Sequence, residues 1–151
     1  MNDFTNINDI LDFAIQNEQN AVNFYTELAK TARTDDMKKT FEQFASEEIG
    51  HKARLIKIKD EGVYNLPTAK VQDLRIADFV VRSEATADMT YEQALVLAMK
   101  REKAAFKLYM KLSEKAPSSD LRTLFLSLAQ EESRHKLKFE LEYDEFVLRE
   151  N

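Results

Sequence analysis

The chain contains two histidines, and each stands three residues after a glutamate: Glu48 and His51 in EEIGH, Glu132 and His135 in EESRH. Residues three apart on an α-helix share a face, so each motif presents a carboxylate and an imidazole side by side. A single Glu-x-x-His on a charged helix is usually a solvated pair. Here the surroundings predict an inward face. Phe41, Phe44, Leu55 and Ile58 continue it around the first pair, and Phe125, Leu128 and Phe139 around the second. Polar groups set in an apolar stripe need partners, and a carboxylate beside an imidazole can share a metal ion.

The two motifs belong to an internal repeat. Residues 10–32, ILDFAIQNEQNAVNFYTELAKTA, lie against residues 94–116, ALVLAMKREKAAFKLYMKLSEKA, without a gap. The offset is 84 residues from Glu18 to Glu102 and again from Tyr25 to Tyr109. It also carries Phe41 onto Phe125, Glu48 onto Glu132 and His51 onto His135. Glu18 and Glu102 each sit in the middle of an amphipathic stripe, among Leu11, Ala14, Ile15, Ala21, Val22 and Leu28 in one copy and Leu95, Ala98, Met99, Ala105, Phe106 and Leu112 in the other. One carboxylate from each of two helices, with Glu-x-x-His from each of two others, is the ligand plan of two-metal carboxylate bundles. The candidate metal ligands are therefore Glu18, Glu48, His51, Glu102, Glu132 and His135.

Charge supports that set, because four carboxylates buried together repel one another and would be protonated at neutral pH without compensation. Two divalent cations cancel the four charges. Oxygen-rich ligation with one imidazole per metal suits iron, then manganese, with zinc also able to bind. Tyr25 and Tyr109 lie seven residues after Glu18 and Glu102 on the same face. They either fill the core or act around the metals by donating to a ligand carboxylate across the bundle. Glu47 and Glu131 precede the ligand glutamates; they either lie on the surface or accept the outer ring proton of the other hairpin's histidine. Gly50, whose repeat mate is Arg134, reads as a packing concession.

The elements that must position these residues are long helices. Two glycines and two prolines in 151 residues leave few turn-formers for a sheet protein. The expected fold is all-α: an antiparallel four-helix bundle of two repeated hairpins joined by a long crossover. It forms a single domain over residues 1–151, with hairpins over about 8–61 and 91–150 and the crossover over about 62–90. Thr34 suits the start of the second long helix and Gly62 its end, while Thr90 and Gln93 form a capping box for the third. The crossover carries Pro67 and the apolar residues Ile76, Phe79, Val80 and Val81, which are expected along the outside of a helix pair or against a partner subunit, so a homodimer is expected.

The formal charge of −5, with no clustered basic tract, offers nothing to phosphate backbones or anionic lipid, so neither nucleic acid nor membrane is an expected partner. The absence of cysteine excludes disulfides, a thiol nucleophile and Cys-ligated iron or zinc. The N-terminal residues lack a basic region followed by an apolar run, and a cytoplasmic protein is expected.

Taken in order, EQNAVNFY, EEIGH, REKAAFKLY and EESRH resemble the ferritin-like superfamily, specifically rubrerythrin-related di-iron carboxylate proteins, over essentially the whole chain. The resemblance implies a ferritin-like fold and two iron ions on the six residues named above. Rubrerythrins proper append a four-cysteine rubredoxin domain, which this cysteine-free chain lacks, so electrons would come in trans from a donor such as a rubredoxin. They also carry an extra glutamate one turn after the third-helix ligand, where this chain has Ala105, with Ala21 at the pseudo-symmetric place. The six-ligand set resembles that of bacterioferritin, but Ile49 stands where that family has its haem methionine, so no haem is expected. No fifth helix follows the fourth, and bulk iron storage is not expected. The resemblance thus implies a non-haem di-iron oxidoreductase acting on O₂ or H₂O₂, of peroxide-detoxifying or ferroxidase type. The alternatives are a dimanganese catalase and a non-catalytic iron-binding or sensing bundle.

Overall fold

The computed structural model describes residues 4–81, 85–86 and 88–150, apart from the side chains of Ile76 and Glu150. Four long helices carry the structure: α1 (Ile7–Lys30), α2 (Asp35–Glu61), α4 (Tyr91–Glu114) and α5 (Ser119–Glu150). A short helix, α3 (Thr68–Gln72), and a 3₁₀ turn (Ile76–Asp78) lie in the crossover between α2 and α4. No strand occurs among the described residues. The helices pair as hairpins, α1 on α2 and α4 on α5, in an all-α four-helix bundle built on the 84-residue repeat.

Local chemistry sets the helix ends. The Thr34 side chain accepts from the Met37 amide to open α2, and Gly62 closes it in the left-handed region at φ 63°, a conformation open to glycine at no steric cost. Thr90 and Gln93 form the expected reciprocal capping box of α4. The start of α1 differs from expectation: Asn6 caps it, with Asp9 returning to the Asn6 amide, so the helix begins slightly before Asn8. Before α5, the Ser118 hydroxyl accepts from the Leu121 amide at 3.2 Å.

The core falls into two apolar clusters. One gathers Ile10, Leu11, Leu55, Tyr109, Leu112 and Phe125; the other gathers Tyr25, Leu28, Phe41, Phe44, Leu95 and Phe139. In α1 the buried seam runs through Leu11, Ala14, Glu18, Ala21, Tyr25 and Leu28, and widens toward Ile10 and Phe24. Ile15 and Val22, on its other flank, are half-buried. The crossover's apolar residues pack on this chain's own bundle. Val71, Leu74 and Phe79 are buried in the first cluster, while Val80 and Val81 are half-buried. The side chain of Ile76 lies outside the described residues. Away from Gly62, a polar clamp ties the α1–α2 turn to α4 and α5. Buried Glu142 accepts from Arg33 at 2.9 and 3.2 Å and from the Tyr91 hydroxyl at 2.7 Å, which provides the hydrogen-bonded pairing that a buried carboxylate requires.

Gly50 corrects the sequence reading. It is exposed within α2, and a Cβ placed there meets no atom within 4 Å, so packing does not demand glycine. Glycine in a helix interior costs up to ~1 kcal/mol against alanine through backbone entropy. Gly50→Ala should therefore raise stability by up to about 1 kcal/mol in denaturant unfolding, with metal content unchanged.

Candidate metal centre

Each long helix brings its candidate ligands to one polar layer between the apolar clusters. Glu18 comes from α1, Glu48 and His51 from α2, Glu102 from α4, and Glu132 and His135 from α5, all at most 2% exposed. Their inward atoms form two overlapping groups, Glu18, Glu48, His51 and Glu132, and Glu48, Glu102, Glu132 and His135, with atoms in each group within 4.8 Å of one another. Glu48 and Glu132 belong to both groups. Two cations would thus have Glu48 and Glu132 between them, with Glu18 and His51 at one end and Glu102 and His135 at the other. That division between shared and terminal carboxylates is absent from the linear sequence.

Outer atoms fix the orientation of four of the six. The Tyr25 hydroxyl donates to Glu102 Oε1, and the Tyr109 hydroxyl to Glu18 Oε1, each reaching across from the other hairpin. His51 Nε2 meets Glu131, and His135 Nε2 donates to Glu47 Oε2 at 3.2 Å, again across hairpins. Of the two readings of Glu47 and Glu131, the structure has the one in which they face the outer nitrogens. An Nε2–H donated to a carboxylate leaves Nδ1 as the inward nitrogen, free to bind a cation. Two arginines continue these chains: Arg134 donates to Glu47, and Arg54 lies 4.0 Å from Glu131. Phe44 stacks on the His135 ring at 4.0 Å between centroids. Sequence reasoning missed the arginines because their repeat mates are Gly50 and Lys138, so the repeat carried no signal for them.

The donor set fits two metal ions. Glu18 Oε2, Glu48 Oε1, His51 Nδ1, Glu102 Oε2, Glu132 Oε1 and His135 Nδ1, one inward atom from each residue, are buried without a hydrogen-bond partner. His51 Nδ1 lies 2.8 Å from Glu132 Oε1 and His135 Nδ1 lies 3.0 Å from Glu48 Oε1, but neither contact is aligned as a hydrogen bond. An unsatisfied buried polar atom costs about 1–3 kcal/mol. Six of them rival the whole net stability of a domain, about 5–15 kcal/mol, and cations are the partners that would answer four carboxylates and two imidazole nitrogens together.

Without a cation, protons take that place. Burial, then the charges of Glu132 and Glu18, push Glu48 well above the usual carboxylate range. Burial, then Glu102 and Glu18, do the same to Glu132. Burial opposes the charged form of His51, but the carboxylates of Glu18 and Glu48, with Glu131 at the outer nitrogen, raise it to about 9. Burial opposes ionisation of Glu18 too, yet the neighbouring Glu48 and His51 and the Tyr109 hydroxyl hold it below its ordinary value. Metal loading would therefore release protons. Burial and the nearby carboxylates raise both Tyr25 and Tyr109 well above 10, so both remain hydroxyl donors.

A cavity of about 210 Å³ opens from this layer toward the seam between α1 and α4. All four carboxylates line it and neither histidine does; Ala21 and Ala105 add small walls, and Phe79, Val80 and Val81 of the crossover cover it. The imidazoles thus occupy one side of the layer and leave the other open to a small molecule.

Removing the outer acceptors should weaken any metal bound by this layer. The double substitution Glu47→Gln and Glu131→Gln should lower metal affinity by about 10–100-fold in a chelator competition, whereas unchanged affinity would exclude a supporting role for the two carboxylates.

Comparison with known proteins agrees with this geometry. Among solved structures, the bundle is similar to a candidate ferritin-like diiron-carboxylate protein from Thermotoga maritima, with a TM-score of 0.78 and 25% identity over 96% of this chain and 99% of that one. No curated protein gives a significant sequence match. The family description of rubrerythrin matches residues 9–143, a span that includes α2 and α4 whole, most of α1 and α5, and the buried Glu/His group. The chain belongs to the rubrerythrin family.

Proposed function

We propose that the chain is a non-haem di-iron oxidoreductase that reduces O₂ or H₂O₂ in the cytoplasm, using electrons supplied by another molecule. One observation carries this reading: six inward atoms without partners, one from each predicted ligand, arranged as two groups that share Glu48 and Glu132. The similarity to a candidate diiron-carboxylate protein favours iron over manganese. When bound, two irons would each supply one electron to the oxidant.

The chain's own residues set the conditions for that chemistry. His51 and His135, oriented by Glu131 and Glu47, offer Nδ1 as a neutral donor. Tyr25 and Tyr109 hold Glu102 and Glu18 by one oxygen each, which leaves the second oxygen directed inward. Without metal, burial and their neighbours' charges make Glu48 and Glu132 hold protons more readily than ordinary carboxylates, and they would release those protons as cations enter the layer. The cavity beside Ala21 and Ala105 admits a molecule of the size of peroxide. Reduction of H₂O₂ to two waters takes two electrons and two protons. These 151 residues include no cysteine for an iron–sulfur relay, and the proposed source of electrons is a separate donor.

Anaerobic loading with Fe(II) followed by O₂ or H₂O₂ tests the proposal. The expected result is about two Fe(II) bound per chain and a rise in near-ultraviolet ferric absorbance on adding oxidant, both lost in Glu48→Ala. Stoichiometric binding with no oxidation by either oxidant would contradict it and favour a metal-binding or sensing role.

A further inference from the structure

Basic residues cluster on α2 at Lys52, Arg54, Lys57 and Lys59, where the last three face carboxylates, and again in the middle of α4, where the lysines pair with none among the described residues. Between Lys100 and Lys107, α4 carries Lys100, Arg101, Lys103 and Lys107, and its single acid, Glu102, is buried in the polar layer. The three lysines are exposed, and none makes an ion pair among the described residues. They sit at positions three and four apart, where like charges repel along a helix. The strip lies in the middle of α4, away from the C-terminal dipole that would favour cations. The repeat does not require this charge either, since the mates of Lys100, Lys103 and Lys107 are Gln16, Gln19 and Asn23. The helix therefore carries an unfavourable charge cluster that folding does not explain.

Its position suggests a use. Lys100, Lys103 and Lys107 line a surface groove of about 330 Å³ with Asp78, Val80, Val81 and Ala104. Val80, Val81 and Ala104 also line the cavity that opens on the four carboxylates. These three side chains form the wall between the basic strip and the candidate metal layer. An apolar floor with a charged rim is the anatomy of a transient protein interface.

We propose that this groove is the docking surface for an acidic, one-electron donor protein. The inference rests on the reading that electrons arrive from outside the chain. Two donor molecules dock in turn, each is oxidised by one electron, and the pair of electrons balances reduction of one H₂O₂ to two waters with two protons from solvent. The lysines attract the acidic face of the donor and speed its encounter. Val80, Val81 and Ala104 bring it against the wall shared with the carboxylate-lined cavity. A polyanion such as nucleic acid would meet the remaining acidic surface of a chain of net charge −5.

Calorimetric titration of an acidic rubredoxin into the zinc-loaded chain tests the surface without redox chemistry. The expected result is binding that weakens with salt, and that falls at least about tenfold in K100E/K103E/K107E but not in the control K38E/K39E. K100Q/K103Q/K107Q should lie between, and carries the comparison if the reversed variant fails to melt cooperatively. A second arm reduces the oxidised, iron-loaded protein with reduced rubredoxin or with dithionite: the triple variant should slow the first and leave the second unchanged. Equal rubredoxin binding by wild type and the triple variant would overturn the proposal, as would tighter wild-type binding of an oligonucleotide or an anionic vesicle. If the iron-loaded protein responds to neither reductant, the functional reading fails, while the zinc-loaded titration still decides the surface.

Discussion

Four carboxylates cannot share a dry interior unless positive charge sits among them, and the rest of this structure is arranged around that electrostatic constraint. Glu18, Glu48, Glu102 and Glu132 are each at most 2% exposed, and each turns an unpaired oxygen toward the same space. Apolar clusters on both sides leave water only the cavity beside Ala21 and Ala105, and water there can hydrogen-bond the carboxylates but cannot cancel their charge. What remains is protonation or metal. The raised proton affinity of Glu48 and Glu132 is the metal-free answer, and the inward Nδ1 atoms of His51 and His135 point to the other.

The doubled hairpin is a simple way to build such a layer. One hairpin supplies a glutamate, a Glu-x-x-His pair, a tyrosine and an outer glutamate. The second copy supplies the same set from the opposite direction, and every supporting contact crosses between copies: Tyr25 to Glu102, Tyr109 to Glu18, His51 to Glu131 and His135 to Glu47. Neither hairpin can orient its own ligands, which couples assembly of the bundle to assembly of the site. The copies differ outside the ligand set. Phe44 stacks on His135 while its repeat mate is Leu128, the lysine strip of α4 has uncharged counterparts on α1, and the crossover covers one seam.

Much of this was legible in the sequence because helical geometry converts spacing into direction. Glu and His three apart must share a face, and an offset of 84 residues that holds through glutamates, tyrosines and histidines makes two weak motifs one site. The caps at Thr34, Gly62 and Thr90 were readable from side-chain chemistry. Features set by tertiary packing were not. Which carboxylates are shared depends on how four helices meet. The cavity at Ala21 and Ala105 exists because small side chains face one another across a seam. Arg54 and Arg134 serve equivalent acceptors from inequivalent positions, so the repeat concealed them. Gly50 drew a packing explanation because a helical glycine invites one, yet it faces solvent.

The most direct test of the two-metal reading is a crystal structure of the iron-loaded protein with anomalous diffraction recorded at the iron edge. Two peaks per chain are predicted, one beside Glu18 and His51 and one beside Glu102 and His135, with Glu48 and Glu132 between them. A single peak, or none within this layer in protein shown to contain iron, would contradict it.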